Sequence, residues 1–425
     1  MNLPSALQQP TAEPRPWLLL SLLTASMVVS FADRTVLAMM IKPIKAELGL
    51  TDTAIGILNG FAFAAFYACC GLALARMADR GRHRTIILGS LVVWSVMTAL
   101  CGVAQNFWQL LLARFGVGAG EAGIVPAGQS VLVEAFAANR RNTAISVFMA
   151  GGPLGILLAY LVTGGLESAL GWRATFLMMG APGLLLALAF APMPFKRRAN
   201  GTSRPAGAAT PLLRDSTDIL AIPRVRWTMV VIICLSLLTF GQAQWLPAYI
   251  ERTFALPRPT IGPMLALTQG VGMLIGTAAG GPVFDRLARS SKVRPESLIT
   301  ALCISGVPVL SAVYLVGDAK AATALAGVAA VILGLPSGRL WAGIHAEVPV
   351  DRRASAVALS MLLASVIGQG VGPVAIGLLS DLLTASRGAN ALRYALLVTV
   401  SCGGVALIAA CFRNLLLARV RGPAS

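Results

Sequence analysis

Runs of about twenty apolar residues recur along the chain, and a helix of that length spans the ~30 Å hydrocarbon core of a bilayer. Twelve such runs are legible: Trp17–Met40, Ala54–Leu74, Thr85–Val103, Trp108–Phe136, Thr143–Gly165, Trp172–Pro192, Trp227–Ile250, Ile261–Phe284, Leu298–Val316, Ala321–Ala346, Ala354–Leu379 and Leu392–Leu417. Charged residues make up only 12% of the chain, against about 25% in a soluble domain. Mean hydropathy is +0.77. With 6% aromatic residues and 43 glycines, the composition fits closely packed helices rather than an aromatic-girdled barrel. The expected fold is an all-α membrane protein.

The longest polar interruption, Met193 to Arg226, holds Lys196-Arg197-Arg198 and the small-residue stretch Gly201–Pro211. It divides the chain into a tail (1–16), a six-helix bundle (17–192), a linker (193–225), a second six-helix bundle (226–417) and a second tail (418–425). Net charge is +17, which would suit nucleic acid if it were gathered on one domain. It is instead alternated. With the amino terminus inside, inner segments hold 23 Lys and Arg and outer loops eight, while Arg34, Arg114 and Arg339 lie inside spans. By the positive-inside rule both tails are cytoplasmic, and no nucleic-acid partner is expected. No cleavable leader is visible, so the first span is expected to direct insertion into the cell's inner membrane.

The two bundles repeat each other. Asp79-Arg80 returns as Asp285-Arg286, Arg140-Arg141 as Arg352-Arg353, and Gly152-Pro153 as Gly372-Pro373, at offsets of 206, 212 and 220. Parallel repeats of this kind place a substrate site near the midplane between the halves.

These landmarks resemble the major facilitator superfamily of secondary transporters. The loop signature G-x-x-x-D-R-x-G-R-R is matched by Asp79, Arg80 and Arg84, with Ala75, Arg82 and His83 as departures, and again by Gly281, Asp285 and Arg286. Arg114, Gly118, Gly120 and Ala122 match the span 4 pattern, and Gly152-Pro153-x-Gly155 the span 5 motif. A finer resemblance is to the Spinster-type subfamily, carried by Asp33-Arg34, Pro43-Ile44-Lys45, Glu121, Trp245-Leu246-Pro247 and Arg353-Ala354. The resemblance implies a bacterial member carrying lysophospholipid or sphingosine-phosphate-like lipids by alternating access. It also implies that Asp33 and Glu121 are protonation sites with Arg34 beside them. Asp79, Arg80, Arg84, Asp285 and Arg286 would then pin the halves together on the inner side.

Ionisable residues inside spans are costly and are candidates for function. At 1.5 Å per residue, Asp33 and Arg114 share a level, with Glu121 about 10 Å deeper than Arg114 and on the same helix face. Breaking an acid–arginine pair in one conformation would change the proton affinity of that state alone, which is the linkage a carrier needs. The other reading of the cluster is a permanent ion pair that fixes packing. Arg339 suits phosphate oxygens or snorkels to the surface. Gln242, Gln244, Trp245 and Gln369 are further cavity candidates, although a lone tryptophan such as Trp245 is more often a packing residue.

Gly118–Gly123 spells a dinucleotide fingerprint, but it has no preceding strand, so Gly118 and Gly120 read as helix packing, as do Gly152 and Pro153. Seven cysteines lie within apolar runs as buried hydrophobes, and two histidines make a metal site improbable. No catalytic cluster or cofactor motif is present, so an enzyme is not expected and the proton gradient is the energy source. A monomer that meets an amphipathic substrate and membrane lipids is the expectation. The competing readings are a multidrug or organic-anion antiporter and a non-transporting receptor.

Overall fold

The computed structural model describes residues 15–193, 212–290, 294–349 and 352–420. Among them there is no strand. In lipid every backbone polar group must be satisfied by the protein itself, and a helix does so within its own segment. The first half contains α1 (Pro16–Met39), a short α2 (Ile41–Leu48), α3 (Asp52–Ala78), α4 (His83–Val103) and α5 (Phe107–Ala135), followed by a run from Asn139 to Phe190. That run of 52 residues is about 78 Å long, more than twice the membrane core. It turns at Gly171, whose φ of 78° is open to glycine, giving α6 (139–170) and α7 (172–190).

The second half has a short α8 (Leu212–Ala221), then α9 (Pro223–Phe254), α10 (Arg258–Leu287), α11 (Pro295–Ala312), α12 (Ala319–Glu347) and a run from Ser355 to Ala418. Gly388 (φ 51°) turns that run of 64 residues into α13 (355–387) and α14 (391–418). Among the described residues the ten apolar helical runs therefore make twelve crossings, six per half, so that the start of α1 and the end of α14 lie at one face. The linker is helical over Leu212–Ala221, a helix the composition of 193–225 does not announce, while Gly201–Pro211 lies outside the described residues.

Helix ends are fixed locally. Asn106 and Asp318 accept from the backbone N–H three residues on, at 3.0 and 2.8 Å, which caps α5 and α12. Pro16, Pro223 and Pro295 occupy the first turn, where the missing N–H is no loss. Small residues then set the packing. A Cβ on Gly120 would lie 2.6 Å from the Trp94 backbone nitrogen, and one on Gly118 would strike the Phe63 carbonyl, so α5 can approach α3 and α4 only through glycine. Gly152 packs on the Phe31 ring. The cysteines are all unpaired, but only Cys101, Cys303 and Cys411 are buried; Cys69 and Cys402 are exposed, because they fall on the outward side of their helices.

The halves meet through α3 with α13, α6 with α10, and α1 with α9. Closure is tight towards the face opposite the termini. A Cβ on Gly56 would come 2.5 Å from the Pro373 carbonyl and one on Gly60 2.6 Å from that of Gly370. On the terminal side, Gly281 of α10 has nothing within 4 Å of where its Cβ would be.

Candidate functional site

A cavity of about 580 Å³, continuous with open solvent, lies between the halves. Its wall includes Phe31, Arg34, Asn59, Phe63, Arg114, Tyr160, Phe240, Gln244 and Gln369. Four helices that meet across the halves carry π-helical turns at this level: Ile57–Phe61 in α3, Leu237–Gly241 in α9, Ala266–Gly270 in α10 and Ala364–Val371 in α13. Three of these turns supply wall residues, and Gln269 of the fourth accepts from the Tyr160 hydroxyl at 3.4 Å. A π turn widens the helix by one residue and takes carbonyls off the α-helical ladder. The Leu58 carbonyl in one of them accepts from Arg114 Nε at 3.3 Å.

The four candidate charges of the first half converge here, in two layers. Arg34 and Arg114 stand in the wall, and the acids lie behind them. Arg34 Nε donates to Glu121 Oε2 at 2.7 Å, and the Ser30 hydroxyl donates to the same oxygen at 2.6 Å. Asp33 accepts from Thr98 at 3.0 Å and has no ion-pair partner among the described residues. One oxygen of each acid, Asp33 Oδ1 and Glu121 Oε1, is buried without a hydrogen-bond partner. The Arg34 guanidinium also lies 4.5 Å from the ring centroids of Phe31 and Phe63 and 4.9 Å from that of Tyr67, a cation–π cage on the cavity side. Glu121 therefore pairs with Arg34 of α1 rather than with Arg114 on its own helix.

Beyond the cavity, the far ends of the halves are latched by groups of which the sequence singles out Lys45 alone, and that only for its family resemblance. Asp52, 2% exposed, receives a bidentate pair from Arg252 at 2.7 and 2.8 Å, with Lys45 at 2.5 Å and Ser380 at 2.7 Å. Asp381 of α13 accepts from the backbone N–H of Asp52 and Thr53 at 3.0 and 2.7 Å, so one half caps a helix of the other. Arg258 joins Glu167 to Glu251, and Lys42 adds a contact to Glu251 at 3.3 Å. Nearby, the Trp172 indole N–H and then Arg173 hold the Glu47 carboxyl below the usual carboxylate range.

Two sequence expectations, for Arg339 and Gln242, are corrected, and for Trp245 the packing reading holds. Arg339 is not in the cavity wall. The last turns of α12 restart after Pro336 and carry it to a separate recess within the second half. Trp245 is wholly buried and donates its indole N–H to the Pro373 carbonyl at 3.0 Å, tying α9 to α13. Gln242, just past the π turn of α9, is turned inward and accepts from Tyr314 at 2.5 Å, while Gln244 takes the wall position. Gln369 is in the wall. Of the terminal-face motif, Arg80 is exposed and Arg84 donates to the Ala191 carbonyl of its own half at 2.7 Å. The Asp79 side chain lies outside the described residues, and Asp285 and Arg286 sit near the end of α10. Asn59, Phe63, Tyr67 and Tyr160 were not singled out, since polar and aromatic residues in apolar spans look like ordinary packing.

Residues 23–373 match the family described as Major Facilitator Superfamily. An MFS-type efflux pump of Mycolicibacterium smegmatis is 31% identical over 392 residues, covering 91% of this chain and 90% of that protein. A sphingosine-1-phosphate transporter of Mus musculus is 24% identical, over 86% of this chain and 70% of its own. Among solved structures, a bacterial homologue of the human lysosomal transporter Spinster, inward-facing and unoccupied, superimposes with a TM-score of 0.81 at 25% identity, covering 96% of this chain and 98% of that one. Twelve crossings in two halves, closed at one face around a central cavity, agree with that match, and the chain belongs to the major facilitator superfamily of transporters.

Proposed function

We propose that this transporter is a proton-coupled carrier of an amphipathic lipid with an anionic head group, of the lysophospholipid or sphingosine-phosphate kind. It would lie in the cell's inner membrane as a monomer with both termini cytoplasmic, so that the closed face is outside. The observation that carries the reading is the position of Arg34, which faces the cavity and pairs with the buried Glu121. A proton on Glu121 dissolves that pair and leaves the guanidinium free for a phosphate oxygen, which an arginine fork suits. Proton and anion then favour each other's binding, and the energy of one gradient is available to the other. The aromatic cage supplies the apolar surface next to the charge. The Spinster-like fold and the sphingosine-1-phosphate relative support the lipid class.

The test is uptake of a labelled lysophospholipid into proteoliposomes with and without an imposed pH gradient. Uptake that ignores the gradient removes the coupling, and absence of uptake removes the substrate class. The efflux-pump relative and the Gly152-Pro153 motif favour a second reading, a multidrug or organic-anion antiporter, and a hydrophobic anionic dye in the same vesicles separates the two.

A further inference from the structure

A second recess, of about 410 Å³ and open to solvent, lies wholly within the second half towards the terminal face. Its polar lining is Arg224, Thr228, Glu296, Arg339, Glu347 and Asn414, from α9, α11, α12 and α14. Arg224 is committed, since it bridges Glu296 at 2.9 Å and Glu347 at 2.6 Å. Arg339 has no hydrogen-bond or ion-pair partner among the described residues. Asn414, 7% exposed, donates to Thr228 Oγ1 at 3.2 Å, and its Oδ1 is buried without a donor. A cation lacking a protein acceptor and a residue whose buried oxygen lacks a donor thus line the same recess. Leaving a buried acceptor such as Asn414 Oδ1 unmet is costly, and natural proteins rarely do so.

The lining carries two arginines and two glutamates, so its charges balance. A simple anion would add an uncompensated charge, whereas a zwitterion would not. We propose that this recess binds a phosphate with an ammonium group close by, the chemistry of an ethanolamine phosphate. The Arg339 fork holds the phosphate oxygens, and the ammonium donates to Asn414 Oδ1 and to the carboxylate edge. Arg224 and Glu296 stand in the first turns of α9 and α11, and Glu347 ends α12. The mouth is therefore at head-group depth, and either a membrane lipid or a soluble ethanolamine phosphate can supply the group. The recess is separate from the central cavity, so its test does not depend on the transport reading.

The full-length protein, delipidated in detergent, is titrated with phosphatidylethanolamine, phosphatidylcholine and free phosphoethanolamine, and adducts are counted by native mass spectrometry. Phosphatidylethanolamine or phosphoethanolamine binds at least about tenfold more tightly than phosphatidylcholine, whose methylated nitrogen has no N–H to donate. Arg339→Gln loses that binding by about tenfold or more while its melting temperature stays near that of the parent. Asn414→Leu reduces it to the phosphatidylcholine level. If Arg339→Gln fails to fold, Arg339→Lys keeps the charge without the fork and is expected to lose most of the same preference. Tighter binding of the lipid assigns the membrane source, and tighter binding of the free ester assigns the soluble one. Equal binding of all three ligands, binding of none, or undiminished binding in the Arg339 variants overturns the proposal.

Discussion

Glu121 and Asp33 are one side chain apart in role, and substitution can separate them. Glu121→Gln removes the partner of Arg34 but keeps the shape. Proteoliposome uptake by this variant is expected to lose its dependence on an imposed pH gradient while the protein stays folded. Asp33→Asn is expected to do the same through the Thr98 contact rather than through Arg34. Coupling that survives in both variants returns the cluster to a fixed ion pair. Trp245 serves as the contrasting residue. Because it is fully buried and bonded to Pro373, Trp245→Ala is expected to cost about 3–5 kcal/mol of stability. A lowered melting temperature with an unchanged substrate KM in the surviving fraction checks this, and a raised KM at unchanged melting temperature would restore Trp245 as a ligand contact.

At the level of helices, contact between the halves depends on glycine along α3. A branched side chain at Gly56 would press on the Pro373 carbonyl and on Val374, and backbone cannot move aside as a flexible side chain can. Gly56→Val is therefore expected to hold α3 away from α13. Spin-label pairs across the face opposite the termini report the result as longer distances, and unchanged distances would show that α3 does not set that closure. The π turns belong to the same scale. They put Asn59, Phe240 and Gln369 on the wall, and Gln244 follows just past the turn of α9.

Across the whole molecule, the halves are held together at the face opposite the termini. The far-face latch centred on Asp52 is closed here. Asp52→Asn leaves Arg252 and Lys45 short of a counter-charge, and breaking a buried pair this way costs about 3–5 kcal/mol. The population is expected to move towards opening at that face, which cysteine accessibility near Lys45 measures. The motif at the terminal face is proposed to act in the opposite conformation. Asp79→Asn is expected to favour the inward-facing state, seen as longer spin-label distances across the terminal face, and shorter or equal distances would remove Asp79 from the gate.

Chain chemistry alone dictates the crossings, because an unbroken run of about twenty apolar residues suits a membrane-spanning helix and not the shorter, alternating strand of a barrel. It likewise dictates the halves, because the Asp79-Arg80 and Asp285-Arg286 landmarks are local. Asp33, Arg34, Arg114 and Glu121 stand out for the same reason: charge in an apolar run is visible without any neighbour being known. Which acid pairs with which arginine depends on how α1 lies against α5, and that is a matter of side-chain packing over 87 positions of sequence. The far-face latch is hidden because Asp52 and Asp381 read as ordinary helix-end acids until α3 and α13 are brought together. Arg339 is visible as a charge, but the side it faces follows from the restart of α12 after Pro336 and the packing of four helices. Local chemistry thus sets which groups are costly to bury, and only the three-dimensional meeting of helices decides what meets them.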